Sequence, residues 1–572
     1  MYETREPLSD QATRSETEPI ELQLLAITDF HGYLQPASDK ANGEIQSLDG
    51  PLVVGGAAYL AAHLKRLRAG HANSLLLSNG DNFSGWPIET AAFKSEPTIE
   101  FLNAIGVEVS SAGNHEFDVS PEFLIRHMMN GECFGTEDID GCYKDSTGKP
   151  FRGCHFDYIS ANVRDARNGQ LVLKPYIIKH IPDGRGGTVP VGIIGLIEEA
   201  AFTKEQMSVQ SGVLYADSLL ESANRYAEEL RDQGVQTIIA LVHEGGSADS
   251  SGLDFNGCER PWGPAIDFAA KASPAIDVII TGHWHAAFNC LIDDPDGNPR
   301  PVVEGSNHGR LITEINLYID PLTKDVLRDK TRCINHPNTR DIAPDPDIEA
   351  MVAYWSKRAQ EQQNVPLAKL KGDLLCARNA YGESAFANVV ADAFYAAAQK
   401  IPQPVDFAMT VGLPKGDLLF AKGTVPTDLD GTITFGELLH SVGAHTSEIV
   451  VTLSGKQIQQ ILEEQWSQGT DGTVMFQPVN VSYNVQYAYD LHQPLRARIA
   501  PADVIINGEK LDPDRRYRVA TNGLVAVNGG GYPSFSGYSD ALRIASWPVM
   551  DYIKAQGEIQ APKLNRIRAK HA

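Results

Sequence analysis

The sequence predicts an α/β protein built as two domains, and three observations predict it. Over residues 21–335, short apolar strand-like runs alternate with amphipathic helical stretches. One long helical stretch, Asp345–Asn364, follows Pro- and Asn-rich turns. A second alternation begins near Leu367 and continues to about residue 560. Strands that alternate with helices imply helices layered on sheets. A chain of 572 residues is long for one core and ample for two or three domains.

The elements follow in order. Residues 1–20 are polar, acidic and Pro-containing, and read as a disordered tail without the apolar core of a signal peptide. "LQLLAITDF" (Leu22–Phe30) reads as a buried strand, and Gly55–Gly70 as an amphipathic helix. "SLLLSNGD" (Ser74–Asp81) is again strand-like, and "PTIEFLNAIG" (Pro97–Gly106) helical. Val107–Asp118 runs as a strand into "NHEFD". "PVGIIGLIE", "QTIIALVHEGG" and "AIDVIITGHWH" are strand-like, with the helix Ser218–Val235 among them. In the second domain "ESAFANVVADAFYAAAQ" is helical, "SEIVVTLSG" and "NVSYNVQYAY" are strands, and "NGGGYPSFSGY" is a Gly-rich turn.

The balance of 49 Lys plus Arg against 73 Asp plus Glu leaves a formal net charge of −24. Such a surface argues against nonspecific binding of nucleic-acid polymers or membranes, and it repels anionic substrates at long range. Any phosphate site therefore needs strong local positive charge. No apolar run approaches the ~18 residues of a membrane span. The cysteines show no CxxC spacing, which disfavours a zinc ribbon. Cys133 and Cys142 flank a Gly- and Asp-rich loop; they either pair in an oxidising compartment or stay free thiols in a reducing one. As it stands the sequence reads as cytoplasmic; the alternative is periplasmic or extracellular, with an export signal removed.

The polar clusters of the first domain fall where its strands end. Asp29 and His31 follow "LLAIT", Asp81 follows "LLLSNG", Asn114 and His115 follow "VSSAG", His243 follows "IIALV", and His283 and His285 follow "VIITG". Ligands in open α/β sheets gather at the carboxyl ends of strands. Imidazole and carboxylate suit Mn, Zn, Fe or Co, whereas a calcium site would be all oxygen. Asp-x-His and His-x-His place alternate residues on one face, so both can reach one ion. The donors Asp29, His31, Asp81, Asn114, His243, His283 and His285 exceed one shell that keeps an open position. Two divalent metal ions are expected, with Asp81 as the bridging carboxylate. Ions ~3.5–4 Å apart clamp the attacking and leaving oxygens of an in-line phosphoryl displacement and make hydroxide at neutral pH. Asn114 then serves as a neutral oxygen ligand. His115 donates a proton or stabilises the transition state, and Asp118 orients it.

In this order the motifs "DFHG" (Asp29–Gly32), "GDNFSG" (Gly80–Gly85), "GNHEFD" (Gly113–Asp118), "VHEGG" (Val242–Gly246) and "GHWH" (Gly282–His285) resemble the calcineurin-like metallophosphoesterase domain of 5′-nucleotidases. "ESAFANVVADA" (Glu383–Ala393), "GTITFGELL" (Gly431–Leu439), "LSGKQIQQILEEQW" (Leu453–Trp466) and "NGGGYPSF" (Asn528–Phe535) resemble the 5′-nucleotidase C-terminal domain. The resemblance implies a four-layer sandwich domain over 21–335, a linker helix over 345–364 and a substrate-binding domain over 367–560. It implies Asp29, His31, Asp81 and His285 at one metal, and Asp81, Asn114, His243 and His283 at the other. It makes His115 and Asp118 the catalytic pair. It also implies export for most such proteins, with Cys133–Cys142 and Cys258–Cys290 as candidate bridges.

The second domain departs from the family pattern. The family's phosphate-holding Arg segment corresponds to "VGLPKGD", where Lys415 stands as a point charge rather than a bidentate fork. The Pro-Phe-x-Asn segment corresponds to Gly443–Thr446, without its stacking ring. Leu524 replaces the second stacking aromatic, and Asn528–Gly531 lacks the ribose-binding Asp. Tyr532, Phe535 or Tyr381 are the rings available as substitutes, and Arg378 and Lys415 the candidate phosphate contacts. Trp86, after "GDNFSG", either narrows the site or packs in the core. The expected reaction is hydrolysis of a small-molecule phosphate monoester: metal-bound hydroxide attacks phosphorus and His115 assists the leaving alkoxide. Nucleoside 5′-monophosphates are the first candidate substrates, and a non-nucleotide phosphorylated metabolite the alternative. The expected assembly is a monomer or homodimer, with no nucleic-acid polymer and no membrane as partner.

Overall fold

A computed structural model describes residues 18–83, 87–138, 141–203, 213–248, 252–412, 414–421, 430–442, 448–469, 472–523, 531–537, 541–544 and 547–571. The chain divides into two compact units, residues 1–201 with 213–355, and residues 202–212 with 356–572. No described helix is long and apolar enough to cross a membrane.

The first unit is built on two six-stranded sheets. In one, Ile20–Ile27 lies between Leu311–Ile319, antiparallel, and Ser74–Ser78, parallel; Val109–Ser111 and Asp157–Ile159 extend the parallel side. In the other, Thr237–His243 is central, parallel to Thr188–Ile197 on one side and Val278–Thr281 on the other. Strands buried on both faces are expected to be near-continuous apolar runs, as "IELQLLAI" and "TIIALVH" are. Leu22, Leu24 and Ala26 of the first sheet share a core with Ile193, Ile239, Leu241 and Ile280 of the second. The outer face of the second sheet is covered by Leu219–Asp232, whose Ala223, Tyr226 and Leu230 pack on Ile194, Leu196 and Ile238. That helix starts at Ser218, whose side chain accepts from the Glu221 N–H and satisfies an otherwise orphan donor. Helices Ala57–Arg68 and Glu96–Ile105 cover the first sheet, burying Leu60, Leu64, Phe101 and Leu102. The result is helix, sheet, sheet, helix. Both sheets point their parallel strands so that the motif loops leave from carboxyl ends.

Helix Pro346–Gln363 follows the first unit's sheets and leads into the second unit. There, five strands in the order Asn480–Val481, Phe407–Thr410, Arg516–Asn522, Glu448–Ser454 and Ala541–Ile544 form the largest sheet. Helices Ala385–Ala398 and Gly455–Glu463 belong to the same unit. The segment expected as one strand, "NVSYNVQYAY", is two. Asn480–Val481 joins the five-stranded sheet, while Val485–Tyr489 pairs with Val504–Ile506 and Ile567–Ala569 in a different sheet. The Ser482 hydroxyl donates to Asn484 Oδ1 at 2.7 Å and closes the turn between them.

The first strand begins at Ile20, inside the stretch expected as tail, and residues 1–17 lie outside the described residues. Of the two candidate bridges, Cys258–Cys290 is a disulfide across 32 positions of chain, whereas Cys133 and Cys142 are free thiols.

Candidate metal centre

The strand-end residues converge. Asp29 lies two positions beyond Ile27, Asp81 three beyond Ser78, Asn114 three beyond Ser111, and His283 two beyond Thr281; His243 ends its own strand. Asp29, His31 and His285 bring ligand atoms within 4.8 Å of one another, and so do Asp81, His243 and His283. His31 Nε2 lies 3.1 Å from His285 Nε2 and 3.9 Å from Asp81 Oδ2. His243 Nε2 lies 3.2 Å from the same Asp81 oxygen. Asp81 therefore faces both groups, as a bridging carboxylate must. Asn114 Oδ1 is 3.1 Å from His283 Nδ1.

Backbone geometry aims these donors. Asp29, His31, Asp81, His283 and His285 all adopt positive φ, between 49° and 73°. Non-glycine residues rarely do so, and such strain clusters at functional sites. Two glycines leave room for them. A Cβ at Gly113 would stand 2.2 Å from Asp81 Oδ1 and 2.8 Å from His243 Cε1. One at Gly282 would stand 2.4 Å from Thr28 Oγ1 and 2.8 Å from Asp29 Oδ2.

Ring orientation is fixed from behind. His31 Nδ1 donates to the Phe83 carbonyl at 3.0 Å and His243 Nδ1 to the Asn79 carbonyl at 2.7 Å. Each turns its Nε2 inward, the nitrogen a cation would take. Among the described residues the buried His243 Nε2 makes no aligned hydrogen bond, although it faces Asp81 Oδ2 at 3.2 Å. Such an inward nitrogen beside a buried carboxylate fits a bound cation, and the donor set as a whole fits imidazole- and carboxylate-binding divalent metals.

The electrostatics divide the imidazoles. Burial holds His31 and His283 neutral, His283 down to about 4, whereas at His243 burial is outweighed by Asp81, which raises the ring well above its usual range. Burial alone would raise Asp81, but His243, His115 and His31 outweigh it and hold the carboxyl well below the usual range. His115 shifts upward as His243 does. Burial would lower it, yet Asp118 and Asp81 prevail and raise it to about 10. Its Nδ1 contacts Asp118 Oδ2 at 2.8 Å, and its ring is 37% exposed. The pair thus sits beside the buried donors.

Several supporting residues escaped sequence reasoning. Glu116 Oε2 accepts from the Asp81 N–H at 2.8 Å and the Gly113 N–H at 2.7 Å, while Oε1 accepts from the Asn82 N–H at 2.8 Å. One carboxylate thereby ties two motif loops together. Burial, then repulsion from Asp81, pushes it up to about 7. Glu304 accepts from the Ala286 N–H at 2.7 Å and steadies the loop carrying His283 and His285. Asn307 Nδ2 lies 2.9 Å from His285 Nδ1. Glu116 stands inside the quoted "GNHEFD", which was its only local signal.

The candidate substrate residues of the second unit fare differently. Tyr532 and Phe535 are 1% and 0% exposed, members of the unit's apolar core, and the Tyr532 hydroxyl donates to the Gln477 carbonyl. The expectation that these rings offer a stacking surface is corrected: both are core residues, because the turn Pro533–Gly537 carries them inward. Tyr381 is 37% exposed. Arg378 donates to the Gly382 and Pro478 carbonyls and, at 3.2 Å, to Asn480 Oδ1, so its guanidinium braces loops. Lys415 is exposed, and its N–H donates to the Ser441 carbonyl at 2.6 Å. Leu524, Trp86, Gly443–Thr446 and Asn528–Gly530 lie outside the described residues.

Comparison with known proteins gives concordant results. Residues 22–287 match the calcineurin-like phosphoesterase family, and residues 366–537 the 5′-nucleotidase C-terminal domain. The chain is 25% identical to endonuclease YhcR of Bacillus subtilis over 90% of its own length and 38% of that protein's. It thus spans under two fifths of that relative. It is 23% identical to the snake venom 5′-nucleotidase of Crotalus adamanteus over 94% of its length and 87% of the relative's. The structure of Haemophilus influenzae NAD nucleotidase (NadN) shares the fold, with a TM-score of 0.59 at 19% identity, covering 97% of this chain and all of that one.

Proposed function

We propose that the chain, which carries a calcineurin-like phosphoesterase domain and a 5′-nucleotidase C-terminal domain, is a metal-dependent phosphoester hydrolase that cleaves phosphate monoesters of small molecules at a two-cation centre. The observation that carries this reading is the position of Asp81, whose carboxylate faces His31 on one side and His243 on the other.

Asp29, His31, Asp81 and His285 would hold one cation, and Asp81, Asn114, His243 and His283 the other. When bound, such cations neutralise phosphate charge as Lewis acids and lower the pKa of a water they share. Their charge would offset locally the −24 of the whole chain. The residues themselves supply the rest. The Phe83 and Asn79 carbonyls fix which nitrogen of His31 and His243 faces inward. Glu116 holds the Asp81 and Gly113 loops in register. Asp118 keeps His115 oriented and protonated, so Nε2–H can donate to the departing oxygen or to a phosphoryl oxygen.

The first substrate class is nucleoside 5′-monophosphates. A non-nucleotide phosphorylated metabolite is the second reading, favoured because Tyr532 and Phe535 are buried and cannot stack a base. Base stacking contributes about 1–3 kcal/mol per ring in single-strand binding proteins, so its loss weakens nucleoside selection. We also read the protein as exported, in place of the cytoplasmic expectation. The Cys258–Cys290 disulfide suits an oxidising compartment, and one relative is a venom enzyme.

The test is phosphate release by Mn²⁺- or Zn²⁺-reconstituted protein. The panel holds p-nitrophenyl phosphate, AMP, UMP, sugar phosphates, bis(p-nitrophenyl) phosphate and single-stranded DNA. Turnover of monoesters with AMP or UMP preferred supports the first reading, and preference for sugar or other metabolite phosphates the second. Turnover confined to the diester or to DNA overturns both.

A further inference from the structure

A second cluster of metal-type donors lies in the first unit, outside the strand-end centre. Glu96, His127 and Cys142 are all buried, and their ligand atoms lie within 4.8 Å of one another. His127 sits on Phe123–Met129, a segment wound with i→i+5 turns, a geometry that recurs at functional sites. Its ring is wholly buried among Phe123, Phe134 and Phe151, with centroids 4.8, 5.7 and 5.0 Å away.

The hydrogen-bond pattern identifies the nitrogen that matters. His127 Nδ1 donates to the Glu132 carbonyl at 2.7 Å. Nε2 therefore points the other way, 3.1 Å from Glu96 Oε1, buried and with no hydrogen-bond partner. An imidazolium–carboxylate pair would direct a proton along that line, and no aligned hydrogen bond forms there. The Glu96 carboxylate is held in place by the N–H groups of Cys142 and Tyr143, each at 2.7 Å. Cys142 adopts φ 47°, a left-handed conformation that a side chain avoids without a compensating contact. Lys94, the cation beside this loop, is engaged by the Phe134 carbonyl.

We propose that Glu96, His127 and Cys142 form a buried structural site for a thiophilic divalent cation, Zn²⁺ above all. Zinc bonds of roughly 2.0–2.2 Å to N and O and about 2.3 Å to S put tetrahedral ligand atoms ~3–4 Å apart, which the 3.1 Å Nε2–Oε1 separation satisfies. Carboxylate, imidazole and one thiolate supply three positions of the shell, and their burial makes the site structural. It would staple the loop before Cys142 to the start of helix Glu96–Ile105 and to the His127 segment. Burial keeps the Cys142 thiol protonated without an ion, up to about 12, so binding releases its proton to solvent.

The test uses full-length protein, chelated and then loaded with Co²⁺. Among the donor clusters of the described residues a thiol belongs to this one alone, and the strand-end centre offers only oxygen and nitrogen. The expected result is a thiolate-to-cobalt charge-transfer band in the near ultraviolet. That band should be lost in Cys142→Ser and in His127→Gln but retained in Asp81→Asn. Zinc content should fall by one ion per chain in Cys142→Ser, with phosphate release retained. Absence of the band from the loaded wild-type protein overturns the proposal, and so does a Cys133–Cys142 disulfide in the purified protein, which would consume the thiol donor. Because the band is read on wild-type protein, misfolding of a variant leaves the test intact. A protein that shows the band yet hydrolyses nothing would refute the phosphatase reading and spare this one.

Discussion

The motifs of the two units are equally recognisable and do opposite things. In the first unit, the motif residues crowd ligand atoms together: among the described residues His243 Nε2 makes no aligned hydrogen bond, His31 Nε2 lies 3.1 Å from His285 Nε2, and Asp81 is crowded by imidazoles. In the second unit, the motif "ESAFANVVADA" closes on itself. Arg566 makes two 2.8 Å bonds to Asp392, its N–H reaches Glu383, and Asn388 Nδ2 donates to Glu383 at 2.7 Å. Arg566 is 4% exposed and also donates to the Val481 carbonyl at 2.7 Å. A polar motif whose donors and acceptors satisfy one another holds a fold, whereas one left unsatisfied awaits a ligand. A family signature alone does not tell these apart.

The contrast can be broken by substitution, and the largest effect should come from Asp81→Asn. Removing the carboxylate between the two donor groups forfeits several kcal/mol of charge stabilisation, so phosphate release should fall by about 10³-fold or more. Thermal unfolding should barely move. Unchanged turnover would empty the centre of its proposed role.

Next, His115→Asn should cost on the order of 10²–10⁴-fold in kcat with metal content intact. Its companion Asp118→Asn separates proton supply from packing. Asp118 raises the His115 pKa, so the ring is charged below about 10. Without Asp118 the ring falls toward its ordinary value near 6.5, and the basic limb of the rate profile should move to lower pH. The same linkage gives the stability sign: the charged ring's contribution is complete below pH ~6.5 and disappears as pH climbs through about 10. A basic limb that stays in place would refute the assignment.

In the second unit, Asp392→Ala should leave Arg566 buried and uncompensated, destabilising by about 3–5 kcal/mol. Calorimetry should register that loss while the folded fraction retains its turnover. A selective loss of turnover would instead make the motif part of the site. The smallest effect sharpens the boundary between the classes. Glu116→Gln keeps shape but weakens the clamp on the Asp81 and Gly113 loops, and metal affinity should drop ~10–100-fold by titration.

How much was legible follows the same line. The alternation of apolar runs reveals the layered architecture, and the ends of those runs reveal where ligands gather, because strand direction alone places them on one rim. Glu116 and Glu304 stayed hidden, because a carboxylate that bonds to backbone N–H groups carries no side-chain partner for a pattern to find. Tyr532 and Phe535 misled because aromatic type does not reveal which way a turn delivers a ring. "NVSYNVQYAY" misled because its apolar alternation runs unbroken across a turn set by Ser482 and Asn484.

The left-handed residues at the sheet rim carry one more consequence. Conformations of that kind cost of order 1–3 kcal/mol each and persist only where their surroundings over-determine them. Asp29, His31, Asp81, His283 and His285 are five such joints in one small space. Any exchange that let one of these joints relax would also swing its donor out of aim. Drift at these positions is thus barred by torsion before chemistry is consulted, and a redesigned centre would have to rebuild its loops as well as its ligands.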